Sequence, residues 1–319
     1  MPGRSVEEYR APLFLAWQLT NRCGARCITC CEESGPDKAW GDELRRDEAI
    51  ELARRIVAFG VAYVAFGGGE PLGVPHCWDL LELLGAAGIA LKIETDGSHI
   101  DGFVADRLAA LGVECIQISV DGATAATHER VRPGSSFAAA VAAIERLVAR
   151  GRAPQFVFVP TRFNLHEIVA AFDLAATLGC SAFVTGPLMR IGRAAGDWQR
   201  IACSSEDWRR AVAALRERAA SISSETALSI YPWDIFTEME TRLEQPQAML
   251  LVVPNGKVKL LNALPFAPAD LRRDSLEDAW QAYRDGWHAP EVREFVARCR
   301  SNPALLKHAN ETWSMFAPR

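Results

Sequence analysis

The sequence lacks several features that would assign a protein to a membrane, to secretion or to nucleic acid. No apolar stretch is long enough to cross a bilayer, and residues 1–10 are polar, without the apolar run of a secretory signal after them. Lysine and arginine form no runs and the net charge is −5, so there is no basic footprint for nucleic acid or an anionic membrane. We therefore expect a cytoplasmic protein with no nucleic-acid or membrane partner.

The chain has nine cysteines, but their number and positions do not indicate a disulfide framework. An odd count cannot pair completely, and without a secretory signal these residues are expected to stay as thiols or metal ligands in a reducing compartment. About half of the 319 residues are apolar (49%), which is enough for a sizeable core. Low-complexity tracts and repeats of solenoid period are absent as well.

The first 200 residues alternate between short apolar runs and helical patterns. The runs predict six strands, over residues 13–19, 61–66, 91–94, 113–120, 156–160 and 182–185. The helical patterns cover residues 46–59, 78–87, 103–111, 137–150 and 165–178. Such alternation predicts an α/β fold with a parallel sheet and right-handed crossovers.

The rhythm changes after about residue 200. A helix is predicted from Glu206 to about Ser221, and residues 254–257, Pro-Asn-Gly-Lys, join two apolar runs into a hairpin. Further helices are expected over residues 275–283 and 291–299. We therefore divide the chain into an N-terminal arm (1–12), a barrel core (13–200) and a smaller α+β lobe (201–319).

Three cysteines mark the first candidate for chemistry. Cys23, Cys27 and Cys30 have C-x₃-C-x₂-C spacing and directly follow the first predicted strand, at the strand end where α/β barrels keep their active sites. Thiolates select iron–sulfur clusters, zinc or copper(I), and three of them would leave one iron of a four-iron cluster open. The alternative, a structural zinc knuckle, normally brings four ligands in two pairs, and no second pair lies close by.

This spacing resembles the signature of the radical S-adenosylmethionine (SAM) enzymes, although Ile28 stands where that family usually has an aromatic residue. The resemblance implies a partial (β/α)₆ TIM-like barrel and one [4Fe–4S] cluster on Cys23, Cys27 and Cys30. It further implies that SAM binds the fourth iron. The cluster, recharged by an external one-electron reductant such as flavodoxin or ferredoxin, would cleave SAM, and the resulting 5′-deoxyadenosyl radical would abstract hydrogen from the substrate.

Two further stretches continue the resemblance. Gly68-Gly69-Glu70 looks like the family's Gly-Gly-Glu motif, which implies that it holds the methionine amino group of SAM; glycines allow positive φ and close approach by a ligand, and Glu70 offers an acceptor. Ser119 and Asp121 resemble a Ser-x-Asp-Gly stretch that reaches the ribose hydroxyls or the methionine carboxylate. Asp121 could equally be a turn residue that never touches SAM.

Other positions in the first 200 residues have weaker assignments. Leu188 and Val159, at strand ends, are candidates for the apolar floor under the adenine, or ordinary core residues. His128, Arg130 and Arg132 match a His-then-Arg pattern of the family, and these arginines are interpreted as solvated surface residues that could instead clamp a carboxylate. Asp96 replaces the usual Asn after the third strand, and residues 192–194 match the Gly-Arg-Ala exit of the barrel.

The part after residue 200 resembles the SPASM extension of many radical SAM enzymes, but without its auxiliary-cluster cysteines. Asn262 stands where a cysteine is expected after the hairpin, and near the end there is only Cys299. We predict one cluster, with the lobe serving as a substrate lid or docking surface. Its aromatic residues are candidates for the pocket or for the core: Trp208, Tyr231, Trp233 and Phe236.

Three cysteines outside the motif have other possible roles. Cys31 could replace Cys30 as a ligand, although adjacent side chains point apart and the motif spacing favours Cys30. Cys203 and Cys299 are candidate hydrogen-atom donors to a substrate radical, or simply buried inert thiols.

The sequence thus predicts a radical SAM enzyme that acts on a small molecule or a peptide in natural-product or cofactor biosynthesis. One alternative is a maturase of a ribosomally made precursor peptide, which would act as an epimerase, a cross-linking enzyme or a dehydrogenase. The loss of auxiliary cysteines favours a small molecule or a redox-neutral reaction. Alternatives from other classes are a non-catalytic binding scaffold and a zinc or thiol-redox protein.

Overall fold

The computed structural model describes residues 6–315, and its central feature is a ten-stranded sheet. Seven of the strands lie side by side in chain order and run parallel. They are β1 (Phe14–Thr20), β2 (Tyr63–Gly68), β3 (Ala90–Thr95), β4 (Cys115–Ser119), β5 (Gln155–Phe158), β6 (Ala182–Thr185) and β7 (Ala227–Ile230). The predicted N-terminal arm falls partly on residues 1–5, which lie outside the described residues.

Helices connect these strands, as the alternation in the sequence predicts. The first six are α1 (Arg46–Phe59), α2 (Cys77–Ala86), α3 (Gly102–Leu111), α4 (Ala125–Val131), α5 (Phe137–Val148) and α6 (Ile168–Thr177). The next three are α7 (Gly192–Gly196), α8 (Trp198–Ile201) and α9 (Ser205–Ser221). Side-chain caps begin several of them: Ser204, for example, accepts a hydrogen bond from the backbone N–H of Asp207 at the start of α9.

The remaining strands and helices follow β7. They are α10 (Ile235–Glu244), β8 (Met249–Val252), β9 (Lys257–Lys259), β10 (Phe266–Ala267), β11 (Ala269–Asp270), α11 (Leu276–Gly286), α12 (Pro290–Cys299) and β12 (Trp313–Ser314). Neither α4 nor α10 was predicted: α4 is only seven residues long, and α10 is mostly polar. The cap residue Asp234, which accepts from Thr237 N, was the signal for α10.

Strands from both sides of residue 200 share the sheet. Its order is β11-β9-β8-β1-β2-β3-β4-β5-β6-β7, so β8 pairs with β1 in parallel and β7 pairs with β6 in parallel. The hairpin prediction is confirmed, because β8 and β9 are antiparallel and Gly256 has φ +81° in the turn between them. The division of the chain at residue 200 stays a prediction.

The two faces of the sheet have different roles. Leu15, Trp17 and Leu19 of β1 belong to the main hydrophobic core, which also contains helix residues such as Ile56 and Leu80. The residues between them, as well as their neighbours on β2, β3 and β8, line a cavity on the other face. Where β1 ends, its register with β2 shifts between Gln18 and Thr20, and the cysteine loop begins directly after this irregularity.

Candidate active site

The cysteine loop, residues 21–35, packs first against the glycine run that follows β2. The backbone N–H of Gly69 donates to the carbonyl of Thr20 (2.7 Å), and that of Glu70 donates to the carbonyl of Arg22 (2.9 Å). A Cβ at Gly69 would lie 2.1 Å from the Arg22 carbonyl oxygen, and Gly68 has φ +98°. The predicted need for positive φ is therefore confirmed at Gly68, while the close approach at Gly69 is made by the cysteine loop itself.

A second segment, residues 131–134 after α4, supports the same loop. Arg26 N donates to the Pro133 carbonyl (2.7 Å) and Ile28 N donates to the Val131 carbonyl (2.9 Å). Gly134 has φ +88°, and a Cβ there would lie 2.9 Å from the carbonyl oxygen of Gly24. Main-chain contacts therefore fix the loop on this side too.

The third support is the Gly-Arg-Ala stretch after β6. The guanidinium of Arg193 donates to the carbonyls of Cys27 (2.5 Å) and Ser34 (2.7 Å), and its backbone N–H donates to the carbonyl of Cys30 (3.0 Å). Gly192 has φ +54°, and a Cβ there would lie 2.1 Å from the carbonyl oxygen of Cys31. This arginine is a functional residue that the sequence interpretation left without a role.

The three cysteines have free thiols in partly or fully buried positions. Burial raises the pKa of Cys23 to about 12 and that of Cys30 to about 11; burial also raises the pKa of Cys27, against the nearby positive charge of Arg132. In the absence of a metal these groups are therefore neutral, and they become ligands when a cation displaces their protons.

The donor set suits a cluster by its chemistry. Three thiols, Cys23, Cys27 and Cys30, lie on one loop at C-x₃-C-x₂-C spacing, and thiolates are the usual ligands of iron–sulfur clusters. Among residues 6–315, no three His, Cys, Asp or Glu side chains form a ready site for one metal ion. Three thiols would hold three irons of a four-iron cluster and leave the fourth iron open.

Cys31 differs from Cys30 in its surroundings. Its side chain packs against the main hydrophobic core, and its sulfur lies 4.0 Å from the Thr29 carbonyl. The sulfur of Cys30 instead accepts a hydrogen bond from Ser34 N (3.2 Å). Backbone N–H donors to sulfur are common around thiolate ligands and tune the potential of a cluster, so the geometry favours Cys30 as the third ligand.

Glu70 is buried beside the cysteine loop. Its carboxylate accepts from the Thr95 hydroxyl (2.9 Å), from Asp96 N (3.0 Å) and from Leu72 N (3.1 Å), which ties the loop after β2 to the loop after β3. Burial, with the neighbouring charge of Asp96, raises the pKa of Glu70 to about 8. Two buried carboxylates near Cys23 make this corner favourable for a cationic group such as an ammonium.

Asp121 is completely buried, and protein donors occupy both of its oxygens. One accepts from Val159 N (2.7 Å) and the other from the guanidinium of Arg132 (3.0 Å). Its backbone N–H donates to Nδ1 of buried His128 (3.1 Å), whose Nε2 faces the Ser135 hydroxyl (3.1 Å). Asp121 therefore positions its neighbours, and its contact with SAM stays a prediction.

The burial of Arg132 shows that one prediction was wrong. It was interpreted as a solvated surface residue, but only 12% of its side chain is exposed, because it pairs with the buried Asp121. Its Nε is buried without a hydrogen-bond partner among residues 6–315, and its charge acts on the thiol of Cys27. Arg130, by contrast, is exposed as expected, with its guanidinium 4.2 Å from the centre of the Phe163 ring.

The other predicted SAM contacts lie close to the cysteine loop or on the inner face of the barrel. Leu188 forms a small apolar cluster with Ile28, Val131 and other residues, and Val159 packs against it. Ser119 is half-buried at the end of β4. These positions fit an apolar floor and a short hydroxyl next to a cofactor, and their contacts with SAM stay predictions.

A cavity of about 500 Å³ opens beside the glycine run. Gly67, Gly68 and Gln18 line it near the cysteine loop, and Glu32 lies there with its pKa raised to about 7 by burial and by the charge of Glu94. Lys92 and Glu94 of β3 form an ion pair in the cavity (2.6 Å). Polar residues from the chain after residue 230 complete the wall: Tyr231, Glu238, Arg242, Gln247 and Asn262.

The candidate hydrogen donors do not reach this cavity. Cys299 is fully buried in the main core on α12, and half-buried Cys203 precedes α9, so neither belongs to the cavity wall. Their sequence positions carried no information about which way they face. Of the four aromatic candidates, Tyr231 lines the cavity, Trp233 contacts its ring at 5.8 Å, and Trp208 and Phe236 pack against the core.

Comparison with known families agrees with this geometry. The family model of the Radical SAM superfamily matches residues 17–175, which contain the three cysteines, Gly68-Gly69-Glu70 and the network around Asp121. The chain belongs to the radical SAM superfamily. Enzymes of this superfamily use a [4Fe–4S] cluster and SAM, so the predicted cofactors are confirmed at the level of the family.

Among curated radical SAM proteins, the chain is 36% identical over 203 residues to the mycofactocin maturase MftC of Mycobacterium ulcerans (strain Agy99), covering 62% of this chain and 54% of that protein. An AdoMet-dependent heme synthase of Methanosarcina barkeri is 32% identical over 57% of this chain and 52% of its own length. The PqqA peptide cyclase of Methylobacterium sp. (strain 4-46) is 26% identical over 86% of this chain and 76% of its own length. The chain spans about half the length of the first two relatives.

Solved structures show the same fold. Streptococcus suis SuiB bound to the precursor peptide SuiA superposes with a TM-score of 0.74 at 15% identity, over 90% of this chain and 68% of that chain. The native anSMEcpe structure with bound AdoMet gives 0.64 at 16% identity, over 86% of this chain and 82% of that one. The predicted α/β class with a partial barrel is thereby confirmed. Within residues 6–315, no helix is both long and apolar enough to cross a membrane.

Proposed function

We propose that this radical SAM chain binds one [4Fe–4S] cluster through Cys23, Cys27 and Cys30 and acts on a peptide substrate in its cavity. The observation that carries the proposal is the fixed cysteine loop. Main-chain and guanidinium contacts hold it on three sides, and the cavity begins at the glycine run that packs against it. This arrangement supports a cofactor whose reactive end faces an enclosed substrate.

When bound, the cluster and SAM would supply the one-electron cleavage that generates a 5′-deoxyadenosyl radical. The residues of the chain bind, orient and exclude water. Glu70 and Asp96 offer carboxyl oxygens for the methionine ammonium, whose positive charge would lower the raised pKa of Glu70 and favour its ionised form. The guanidinium of Arg132, whose charge acts on the thiol of Cys27, would donate to the methionine carboxylate. Ser119 faces a ribose hydroxyl in this proposal, and Leu188 lies under the adenine.

A peptide is the substrate class that the relatives favour. MftC and the PqqA cyclase are named as a maturase and a peptide cyclase, and the SuiB structure contains a precursor peptide. The cavity of about 500 Å³, with both apolar and polar residues in its walls, suits two or three residues of an extended peptide. The AdoMet-dependent heme synthase among the relatives keeps a small molecule as the second candidate.

The test is anaerobic reconstitution of the full chain with iron, sulfide and a reductant, followed by assay for 5′-deoxyadenosine. We expect about four irons per chain, a brown absorption band and SAM cleavage. Cys30→Ala should lose the cluster, whereas the adjacent Cys31→Ala should keep it, because Cys31 packs in the core. Iron-free wild type, or full iron and SAM cleavage in Cys30→Ala, would contradict the assignment.

The electron donor and the location belong to the same proposal. A flavodoxin or ferredoxin in a reducing cytoplasm would supply electrons, and replacing dithionite by either protein in the assay tests it. A chain that keeps the cluster but never cleaves SAM with any donor would instead favour the non-catalytic scaffold. The overall outcome of the reaction is assigned by mass analysis of the peptide after turnover.

A further inference from the structure

One wall of the cavity carries a group of three polar side chains from the chain after residue 230. Arg242 and Glu238 lie one turn apart on α10 and form an ion pair of 3.1 Å. The phenol of Tyr231, just after β7, lies close to both side chains, and burial and the charge of Glu238 raise its pKa. All three face the cavity, so this group meets any ligand that enters it.

Arg242 has donors that the protein does not use. Only 7% of its side chain is exposed, yet its Nε is buried without a hydrogen-bond partner among the described residues. The ring of Trp233 lies 5.6 Å from the guanidinium and offers a π face but no carboxylate or carbonyl acceptor. A guanidinium has five N–H donors, and a buried donor without an acceptor destabilises the folded state. Because Nε itself is closed off from solvent, a ligand in the cavity would meet the guanidinium through its terminal nitrogens.

Lys92, the cavity's other cation, is already paired. The Lys92 ammonium lies 2.6 Å from Glu94, so its nearest acceptor comes from the protein. One terminal nitrogen of Arg242 donates to its carboxylate partner, Glu238. A second carboxylate fits the planar fork of a guanidinium better than it fits an ammonium.

We infer that Arg242 binds a carboxylate of the peptide substrate, and that Glu238 and Tyr231 hold the guanidinium in place. This inference rests on the proposed function and names the chemical group by which the cavity recognises its substrate. The cavity extends from Arg242 to Gly67 and Gly68 beside the cysteine loop. A substrate anchored by its carboxylate would therefore present a residue at a set distance from that anchor to the radical.

The experiment uses capped dipeptides that differ in a single group. N-acetyl-Ala-Leu is supplied as the free acid and as the C-terminal amide, and N-acetyl-Glu-Leu amide carries its carboxylate on the side chain. Binding to the reconstituted full chain with SAM is measured by calorimetry. At least one carboxylate probe should bind about tenfold more tightly than the neutral amide, since charge-assisted hydrogen bonds are stronger. The tighter probe identifies the terminal or the side-chain source.

Variants assign the preference to a residue. Arg242→Gln should make the three probes bind equally. Arg284→Gln is the matched control, because Arg284 is also largely buried, also has a buried Nε without a partner and also lies 5.6 Å from a tryptophan ring, but outside the cavity. The control should keep the preference. If Arg242→Gln has a lower melting temperature because Glu238 loses its partner, the Glu238→Gln/Arg242→Gln double variant is measured instead.

Two results would overturn the inference: equal binding of all three probes by the wild type, or an unchanged preference in the Arg242 variant. The first result is available from the wild type alone, so it does not depend on the folding of any variant. Formation of 5′-deoxyadenosine by the same wild-type preparation, without any peptide, tests the proposed function separately. If the wild type cleaves SAM but binds the three peptide probes equally, the inference about Arg242 is contradicted and the assignment as a radical SAM enzyme still holds.

Discussion

The cysteine loop and the cavity wall are built in opposite ways. The loop is fixed mainly by backbone contacts at glycines, where a Cβ at Gly69 or Gly192 would lie 2.1 Å from a carbonyl oxygen of the loop. The wall is formed by side chains, among them the charged Lys92 and Arg242, which belong to distant parts of the chain. Backbone packing leaves little freedom of sequence, whereas side-chain walls can be exchanged to suit different substrates.

The largest effect is expected from a methyl group between the loop and its glycine support. Gly69→Ala should displace the loop and cost about 3 kcal/mol or more of local stability, because main chain cannot yield as a flexible side chain can. Iron per chain after reconstitution should fall strongly. Gly41→Ala is the control, since a Cβ there has open space. Normal iron content in Gly69→Ala would show that the loop tolerates displacement.

A smaller but still large effect is expected from pH, through His128. Burial lowers the pKa of His128 to about 4, and its Nδ1 accepts from Asp121 N, a role that a protonated ring cannot fill. As pH falls from about 6.5 to 4, the unfolded chain binds this proton first, so the free energy of unfolding should decrease by about 3 kcal/mol.

Urea unfolding of the metal-free chain across this pH range measures the effect. His128→Asn should flatten the slope, while replacement of the exposed His166 should leave it unchanged. An equal slope in wild type and His128→Asn would mean that other groups carry the pH dependence. The result tests whether the neutral, buried ring of His128, on the helix that leads to the support at residues 131–134, contributes to the stability of this region.

Arg193→Lys should weaken the third support by about 2 kcal/mol, because an ammonium cannot reproduce the two-pronged contact with the carbonyls of Cys27 and Ser34. The measurement is the rate at which a chelator removes iron, which should rise. Arg200→Lys, at an exposed ion pair with Asp197, should leave the rate unchanged. Equal rates of iron removal in the two variants would show that Arg193 does not stabilise the loop.

The smallest effect tests two hydrogen bonds that Asn310, near the end of the described residues, makes with the loop. Asn310 donates to the carbonyl of Cys31 (2.9 Å) and to the carboxylate of Glu33 (3.1 Å). Asn310→Ala should cost about 1 kcal/mol and raise iron loss slightly. Asn302, whose side chain makes no cap hydrogen bond, provides the control. If Asn310→Ala lost as much iron as Gly69→Ala, the segment around Asn310 would be one of the main supports of the loop.

Much of the loop could be predicted from the sequence because its requirements are local. Three cysteines at fixed spacing and a glycine run after β2 identify the site, and the alternation of strands and helices identifies the parallel sheet. The hairpin at Asn255-Gly256 was predicted for the same reason, since two residues decide the turn.

The side-chain network could not be predicted in the same way. Arg193 contacts Cys27 from 166 residues away, and no periodicity or motif encodes which carbonyl a distant guanidinium will reach. Arg132 was wrongly assigned to the surface because its burial depends on Asp121, which is itself hidden only in the folded chain. Cys203 and Cys299 lie outside the cavity wall because tertiary packing, which the sequence does not reveal, sets their orientation.

The place of β1 in the sheet has a consequence for biogenesis. This strand leads into the cysteine loop, yet one of its two neighbours is β8, which is synthesised more than two hundred residues later. Until β8 and the segment around Asn310 have emerged, β1 has an open edge and the cysteines lack part of their cover. The cysteine loop therefore has its full set of contacts only after the residues up to Asn310 have been synthesised.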